Sequence, residues 1–176
     1  MREKIDCFLP CSQLQDVEAM LSVLRHDKTV RYIYLMVSDG FARVNAVPAD
    51  CRYIVVDNIM STRSMEAVAR QSDADYVLLS LKTTPIVLGM YALERLLRTA
   101  TETDAVMVYA DRYVRNSDAD SAKVERHPTI DYQTGSLRDD FDFGQLVLIR
   151  SCQLKAWCAE HGSADYQYAG WYDLRL

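Results

Sequence analysis

The stretch Tyr32-Ile33-Tyr34-Leu35-Met36-Val37-Ser38-Asp39-Gly40 decides the fold. Its first six residues are apolar or aromatic, without the alternation that marks a strand with one face in water. Unbroken runs of this kind belong to strands buried on both faces, as in a parallel sheet covered by helices. Ser38-Asp39-Gly40 then stops the run with turn-forming residues. Upstream, residues 5–9 form a shorter apolar run closed by Pro10, and Ser12 with Gln15 three positions on is the signature of a capping box at a helix start. In that helix Leu14, Val17, Met20, Leu21 and Leu24 share one face, the spacing of a stripe packed on a sheet. A strand therefore turns into a helix, and the helix feeds the buried strand at 32–37.

The pattern repeats downstream. Residues 53–56 read as a third strand ending at Asp57-Asn58, and 61–71 as a short helix with Met65, Val68 and Ala69 inward. Residues 76–79 are a fourth strand. Thr84 as N-cap and Pro85 at the first helical position predict a long helix to about Arg98, burying Ile86, Met90, Leu93, Leu96 and Leu97. A fifth strand follows at 105–109, a sixth at 145–149, and a last helix at 151–160 before Gly162. Alternating strands and helices with short links predict an α/β fold, a mostly parallel sheet flanked by helices, in one domain spanning 1–176. The chain carries no internal repeat, low-complexity tract or interdomain linker.

Composition narrows the function classes. The chain has 176 residues, 49% of them apolar, which suits a single packed core. Acidic and basic residues are interleaved and the net charge is −5, so no basic stripe is available to a phosphate backbone and nucleic acid is not expected as a partner. Met1-Arg2-Glu3-Lys4 leads straight into charge, and no apolar run approaches a transmembrane span; the reading is a soluble, cytoplasmic protein. Cys7, Cys11, Cys51, Cys152 and Cys158 make an odd count with no C-x-x-C pair or zinc-spaced histidines, so they are expected to be reduced and buried. His26 and His161 fall by helix ends and read as surface residues.

In parallel α/β sheets ligands sit outside the carboxyl ends of the strands. That rule selects Pro10 and Cys11, Asp39, Asp57 and Asn58, Ser80 and Lys82, and Asp111. No G-x-G-x-x-G follows strand one and no P-loop motif occurs, which removes the main support for ordinary dinucleotide and P-loop enzymes. The connection 110–144 is long enough to be either functional or disordered. Ile130, Tyr132, Leu137, Phe141 and Phe143 argue against disorder. Its second half gathers Asp131, Asp139, Asp140 and Asp142 with Arg138 and His127. Isolated ionised carboxylates are very costly to bury, and Arg138 and His127 are the nearest groups to offset them. One of these aspartates, with its pKa tuned toward neutrality, would serve as a general base at a hydroxyl; Asp140 is the first choice and Asp139 the second.

The order of signals carries a resemblance. Strand one ending in Pro10, strand two in Ser38-Asp39-Gly40, and Asn58 followed by Ser61-Thr62-Arg63-Ser64 resemble the nucleotide-sugar-binding half of family 2 glycosyltransferases with the GT-A fold. Val108-Tyr109-Ala110-Asp111, the run His127 to Gly144, and Tyr168-Ala169-Gly170-Trp171-Tyr172-Asp173-Leu174-Arg175-Leu176 look like a bacterial branch of them. The resemblance implies a GT-A-like domain that moves a sugar from a nucleotide-diphosphate donor, uridine diphosphate type, to a sugar or lipid-linked acceptor hydroxyl. It places Asp39 against the imide N–H of a uracil-type base, where the bland reading is a turn aspartate. Asn58 and Arg63 would face ribose and diphosphate, the alternatives being a turn residue and a solvated helix arginine. Trp171 would either stack on a sugar ring or join the core.

Two departures stand out. Ser80-Leu81-Lys82 replaces the family's metal-holding Asp-x-Asp, so no metal site is assigned, the cofactor is left open, and Lys82 becomes the candidate partner of the diphosphate. Gly170-Trp171-Tyr172-Asp173 stands where the family offers Glu-Asp, which leaves the usual base unassigned. The chain stops just after that motif, which suggests a C-terminal truncation. A noncatalytic nucleotide-sugar-binding or scaffolding domain is the alternative. A nucleotidyltransferase on a related sheet is a third reading, but Leu9-Pro10-Cys11-Ser12-Gln13 lacks the Gly-rich loop it would want.

Overall fold

The computed structural model of the chain describes residues 3–115, 124–130, 133, 141–161 and 164–175. Strand β1 (Ile5–Pro10) lies between two parallel neighbours, β2 (Val30–Val37) and β4 (Tyr76–Ser80), and β2 pairs in turn with β3 (Cys51–Val55). Beyond β4 come β8 (Leu146–Arg150) and β5 (Met107–Tyr109), giving the order β3-β2-β1-β4-β8-β5. All six residues of β1 are buried, because both of its edges are hydrogen-bonded and both of its faces are covered by helices. The unbroken apolar pattern follows from that position.

The sheet is mainly parallel, as expected, but β8 runs antiparallel to both β4 and β5. Chain connection explains the reversal. β5 ends at the carboxyl edge of the parallel strands, β8 starts from that same edge, and a strand that starts there can only run back.

Two apolar layers cover the sheet. Ile5, Cys7, Leu9, Leu35 and Leu78 pack under helices α1 (Leu14–Leu24) and α4 (Ala92–Glu102), through Val17, Leu21, Leu24, Leu93 and Leu97. On the opposite face Phe8, Tyr34, Met36, Leu79 and Val147 pack under α3 (Thr62–Gln71), α5 (Ser151–His161) and α6 (Gly170–Arg175), through Met65, Val68, Leu154, Trp157 and Trp171. Phe8 and Tyr34 stack with centroids 4.6 Å apart. Each such fully buried side chain contributes about 1.5–3 kcal/mol from area removed from water.

Several local expectations are corrected. The capping box at Ser12 and Gln15 does not form: α1 starts at Leu14 after Gln13, whose side chain makes no cap bond. Ser38-Asp39-Gly40 opens a short helix, α2 (Asp39–Val44), rather than a simple turn, because the Ser38 hydroxyl accepts from the Phe41 N–H at 3.2 Å. The long helix expected from Thr84 begins only at Ala92. β-branched Ile86 and Val87 with Gly89 give poor helix propensity, and Tyr91 stands at φ 59°, a left-handed conformation that cannot continue a helix upstream. Ile86 and Leu88 still reach the core, whereas Met90 is 82% exposed. The 110–144 connection holds an antiparallel ladder of β6 (Arg112–Arg115) and β7 (Val124–His127); β7 is exposed throughout, so no buried face marks it in the sequence. Cys7, Cys11 and Cys51 are buried and unbridged as expected, but Cys152 is exposed.

The segment before α6 docks onto the start of α3. The Thr62 N–H donates to the Tyr166 carbonyl at 2.9 Å, and the Trp171 N–H to the Met60 carbonyl at 3.1 Å. Gly170 sits so close that a Cβ there would lie 2.3 Å from the Thr62 nitrogen and 2.5 Å from the Ser61 carbonyl carbon. Those are backbone atoms and cannot step aside. Gly170→Ala is therefore expected to destabilise the protein by roughly 2–4 kcal/mol, despite the gain in helix propensity. Gly89→Ala, which meets nothing within 4 Å, should stay within about 0.5 kcal/mol. Paired denaturant titrations of the two variants check this; equal midpoints would deny the close approach.

Candidate functional site

The carboxyl ends of β1 to β5 lie along one edge of the sheet, together with the residues that lead into β8. At the end of β1 Pro10 is buried, and the Cys11 N–H donates to the Met36 carbonyl at 2.9 Å. Beside it Asp39, in the first turn of α2, pairs with Arg43 one turn on at 2.6 Å. Both side chains are mostly exposed, so the pair contributes at most about 1 kcal/mol and exchanges readily.

After β3 the chain makes a tightly fixed turn. The Asn58 side-chain oxygen accepts from the Met60 N–H at 2.9 Å, and its carbonyl accepts from the Ser64 hydroxyl at 2.6 Å and the Ser61 N–H at 3.0 Å. The Ser61 hydroxyl caps α3 by accepting from the Ser64 N–H at 3.2 Å. This turn, the outer face of α3 and the segment before α6 enclose a cleft of about 530 Å³, lined by Asp57, Asn58, Arg63, Arg70, Gln167 and Tyr168 among others. Asn58 and Arg63 are thus brought together, with Arg63 held by Asp165 at 2.8 Å.

The other half of the edge lies after β4. The buried Ser80 hydroxyl donates to the Lys82 carbonyl at 3.1 Å, and the Leu81 N–H donates to the Gln145 carbonyl at 2.8 Å, which turns Lys82 out into solvent. Close by, Arg112 donates from Nη2 to Asp142 Oδ2 at 2.6 Å, while Asp142 Oδ1 takes the Gly144 N–H at 2.8 Å. Burial pushes the Asp142 carboxyl up, but the Arg112 and Gly144 hydrogen bonds and the charges of Arg112 and Lys82 outweigh it, so its pKa falls below the ordinary value. Arg112 Nε and Nη1 are buried and have no hydrogen-bond partner among the described residues. A buried donor left unsatisfied costs about 1–3 kcal/mol. Gly144, at φ +81°, turns the chain past the Ala110 carbonyl, where a Cβ would stand 3.4 Å from the oxygen. Tyr109, Phe141, Phe143 and Trp171 close the base of this corner edge to face, Tyr109 and Phe143 at 5.1 Å and Phe143 and Trp171 at 6.3 Å.

Other site candidates have local duties. Asp111 accepts from the Thr129 N–H at 2.8 Å, the Thr129 hydroxyl at 3.0 Å and Arg126 at 3.3 Å, closing the β6–β7 ladder. Trp171 is 4% exposed within the core, the second of the two placements the sequence left open for it. Asp173 accepts from the Trp157 indole N–H at 3.0 Å. Asp131, Asp139, Asp140 and Arg138 lie outside the described residues. Arg112 escaped the sequence reading; its signal was its place directly after Asp111, at the carboxyl end of strand five. At the opposite end of the sheet a cleft of about 400 Å³ holds Glu3, Asp75, Arg150 and Lys155, but Asp104 neutralises Arg150 at 2.7 Å and Asp73 faces Lys155 at 3.7 Å. Among the described residues no three His, Cys, Asp or Glu side chains cluster to hold a metal ion, and no helix is long and apolar enough to cross a membrane.

No family model matches the sequence, and no curated protein matches it. Solved structures do match the fold. A 4-diphosphocytidyl-2C-methyl-D-erythritol synthase from Anaerococcus prevotii aligns over 98% of this chain and 81% of its own, with TM-score 0.57 and 9% identity. A second 4-diphosphocytidyl-2C-methyl-D-erythritol synthase aligns over 99% and 85%, with TM-score 0.51 and 14% identity. A CMP:2-keto-3-deoxy-manno-octonic acid synthetase complexed with CTP aligns over 89% and 78%, with TM-score 0.46 and 13% identity. The fold is of the nucleotide-diphospho-sugar transferase-like type, a mainly parallel sheet flanked by helices.

The Asp111 bonds have a pH consequence. The Thr129 N–H and hydroxyl, then Arg126, hold its carboxyl below the ordinary value in the folded protein. The stabilisation it gives is full above the ordinary value of about 3.9 and is lost as pH falls through the lower folded value. Slow exchange of the Thr129 amide should therefore persist at neutral pH, fade in acid, and be absent at all pH values in Asp111→Ala. Protection that survives in the variant would assign that amide another acceptor.

Proposed function

We propose that the chain is the nucleotide-diphosphate-sugar-binding domain of a glycosyltransferase, with uridine diphosphate as the nucleotide of its donor and a sugar or lipid-linked hydroxyl as acceptor. The observation that supports this best is Lys82, an exposed ammonium at the carboxyl end of β4. In the glycosyltransferases this chain resembles, that strand end carries the Asp-x-Asp that holds a divalent metal on the donor diphosphate. In the reaction an acceptor hydroxyl loses its proton to a base and attacks the anomeric carbon from the far face. The bond to the diphosphate breaks, and preorganised positive charge must meet the charge that builds on the leaving group. A lysine ammonium attracts phosphate oxygens directly and repels a divalent cation. Asn58 and Arg63 serve the donor from the cleft beside β3, and Asp39, once released from Arg43, serves the base. Asp140, or failing it Asp139, takes the acceptor proton.

The fold neighbours at TM-score 0.57 and 0.51 are synthases whose names carry a diphosphocytidyl group, which favours nucleotidyl transfer as a second reading. Against it, residues 10–13 after β1 include no glycine, so the backbone there lacks the freedom of a phosphate-wrapping loop. A noncatalytic binding domain is the third reading, supported by the missing Asp-x-Asp and by the engagement of Asp173 with Trp157. Release of uridine diphosphate from its sugar conjugate, release of pyrophosphate from cytidine triphosphate, or neither, separates the three.

Titration calorimetry in a chelator should show uridine diphosphate binding that weakens by roughly 1–2 kcal/mol in Lys82→Ala and by about 1–3 kcal/mol in Asp39→Ala. The Lys82 effect should be larger at low salt, because ionic screening reduces the attraction in the parent protein. Binding that strictly needs manganese or magnesium would overturn the role of Lys82. For the base, Asp140→Asn or Asp139→Asn should leave the melting temperature in place and cut sugar transfer by about 10²-fold. Full turnover in both variants would move the base out of this segment.

A further inference from the structure

The cleft beside β3, about 530 Å³, has the size of a small-molecule site, for which about 300–1,000 Å³ is usual. Its walls are fixed before any ligand arrives. The Asn58 carbonyl takes the Ser64 hydroxyl of α3 at 2.6 Å, and the opposite wall is tied to the same helix, with the Tyr166 carbonyl taking the Thr62 N–H at 2.9 Å and the Tyr166 N–H donating to the Thr62 hydroxyl at 3.3 Å. At the carboxyl edge of the sheet the cleft holds Asn58 and Arg63, and Arg63 is engaged by Asp165 at 2.8 Å. Seven residues on, roughly 10 Å along the helix, Arg70 lines the same cleft. The side chains of Asp57, Arg70, Gln167 and Tyr168 make no hydrogen bond or ion pair among the described residues. All four line the cleft and are exposed, so their groups stand open to a ligand as they are. Tyr168 is 77% exposed, an aromatic ring that folding leaves out of the core.

These groups select a class of ligand. A guanidinium only donates, a carboxylate only accepts, and an amide and a phenol do both. A fully ionised phosphate, which only accepts, would answer Arg70 and be repelled by Asp57. A hydroxyl donates and accepts, and so answers all four groups. Among the described lining residues only Val55, Val56 and Ala67 are aliphatic, so an acyl chain finds little to pack on. We propose that this part of the cleft is a subsite for a neutral sugar ring, stacked by its C–H face on Tyr168 and hydrogen-bonded through its hydroxyls by Asp57, Arg70 and Gln167. The inference goes beyond the donor reading above and rests on it only for the part the sugar plays. β3 and β4 stand three strand spacings apart in the sheet, about 14 Å. A ring held beside β3 therefore lies away from a diphosphate at Lys82 and is a non-reacting unit of the acceptor.

The test is nuclear magnetic resonance on the chain, titrated separately with glucose, galactose, mannose and N-acetylglucosamine, with inorganic phosphate as the anion control. At least one of the sugars is expected to shift the Tyr168 ring and the Gln167 side-chain amide. Tyr168→Ala should weaken that sugar about 10-fold and Arg70→Ala about 5- to 10-fold, whereas Tyr168→Phe, which keeps the ring, should stay within about 3-fold. Both positions are exposed, where substitutions leave the fold in place. No shift with any of the four sugars, shifts confined to other surfaces, or equal affinity in Tyr168→Ala overturns the proposal, as does phosphate bound at Arg70 in preference to every sugar. A parallel titration with uridine diphosphate separates this subsite from the donor site, because its binding is expected to be the same in Tyr168→Ala as in the parent. Sugar shifts at Tyr168 with no uridine diphosphate binding keep the subsite and sink the donor reading; uridine diphosphate binding with no sugar shifts does the reverse.

Discussion

The whole structure depends on β1 being closed on every side. Parallel partners on both edges satisfy its backbone groups, and the two helical layers take its side chains alternately, Ile5, Cys7 and Leu9 on one face and Phe8 on the other. In such a strand an ionised side chain is tolerated only with partners. Asp6 is fully buried: its Oδ2 accepts from the Ser72 hydroxyl at 3.0 Å and from the Asp73 and Ala74 N–H groups at 3.2 Å, with Arg31 at 3.7 Å, while its Oδ1 is left without a hydrogen-bond partner among the described residues. These bonds tie β1 to the turn between α3 and β4. The strand that ends in Ser80 is thereby fixed beside the strand that ends in Pro10, and the carboxyl edge inherits its geometry from a carboxylate at the far end of the sheet.

The sheet was legible in the sequence because its signal is burial, and burial leaves a pattern. Residues 32–37 and 76–79 read correctly as buried strands since every position in them answers to a helix on one face or the other. What failed were features decided by single backbone choices. Nothing in Tyr91 announces a left-handed residue, so the helix drawn from Thr84 ran through a segment that is not helical. The β6–β7 ladder has no apolar face and is held by Asp111 and Thr129 instead, an interaction between residues far apart in the chain. Antiparallel β8 follows from where the long connection delivers it, which composition cannot express.

The candidate site at the carboxyl edge was legible by position and not by partner. The strand-end rule picked out Asn58, Lys82 and Asp111 by position alone. It could not distinguish an aspartate that closes a ladder, Asp111, from an arginine one residue later that holds Asp142. Nor could it decide between a sugar platform and the core for Trp171, which Phe143 and the Met60 carbonyl hold in the core. Both outcomes turn on long-range contacts: a short stretch shows which groups are available, whereas their roles depend on what the fold sets opposite them.

Those contacts also join the two halves of the edge. Gly170 lets its backbone rest on Ser61 and Thr62, at the start of the helix whose outer face lines the cleft with Asn58 and Arg63. One residue on, Trp171 meets Phe143, which precedes Gly144 and follows Asp142, the partner of Arg112. Packed interiors transmit displacement because they hold few voids into which a side chain can yield. A shift at the α3 turn would therefore press through the Trp171 ring on the Asp142 turn, which holds Arg112. A ligand that touched both the Asn58 cleft and the Asp142 turn would bridge the two ends of one packed path, so its fit at one end would bear on the position of Arg112 at the other.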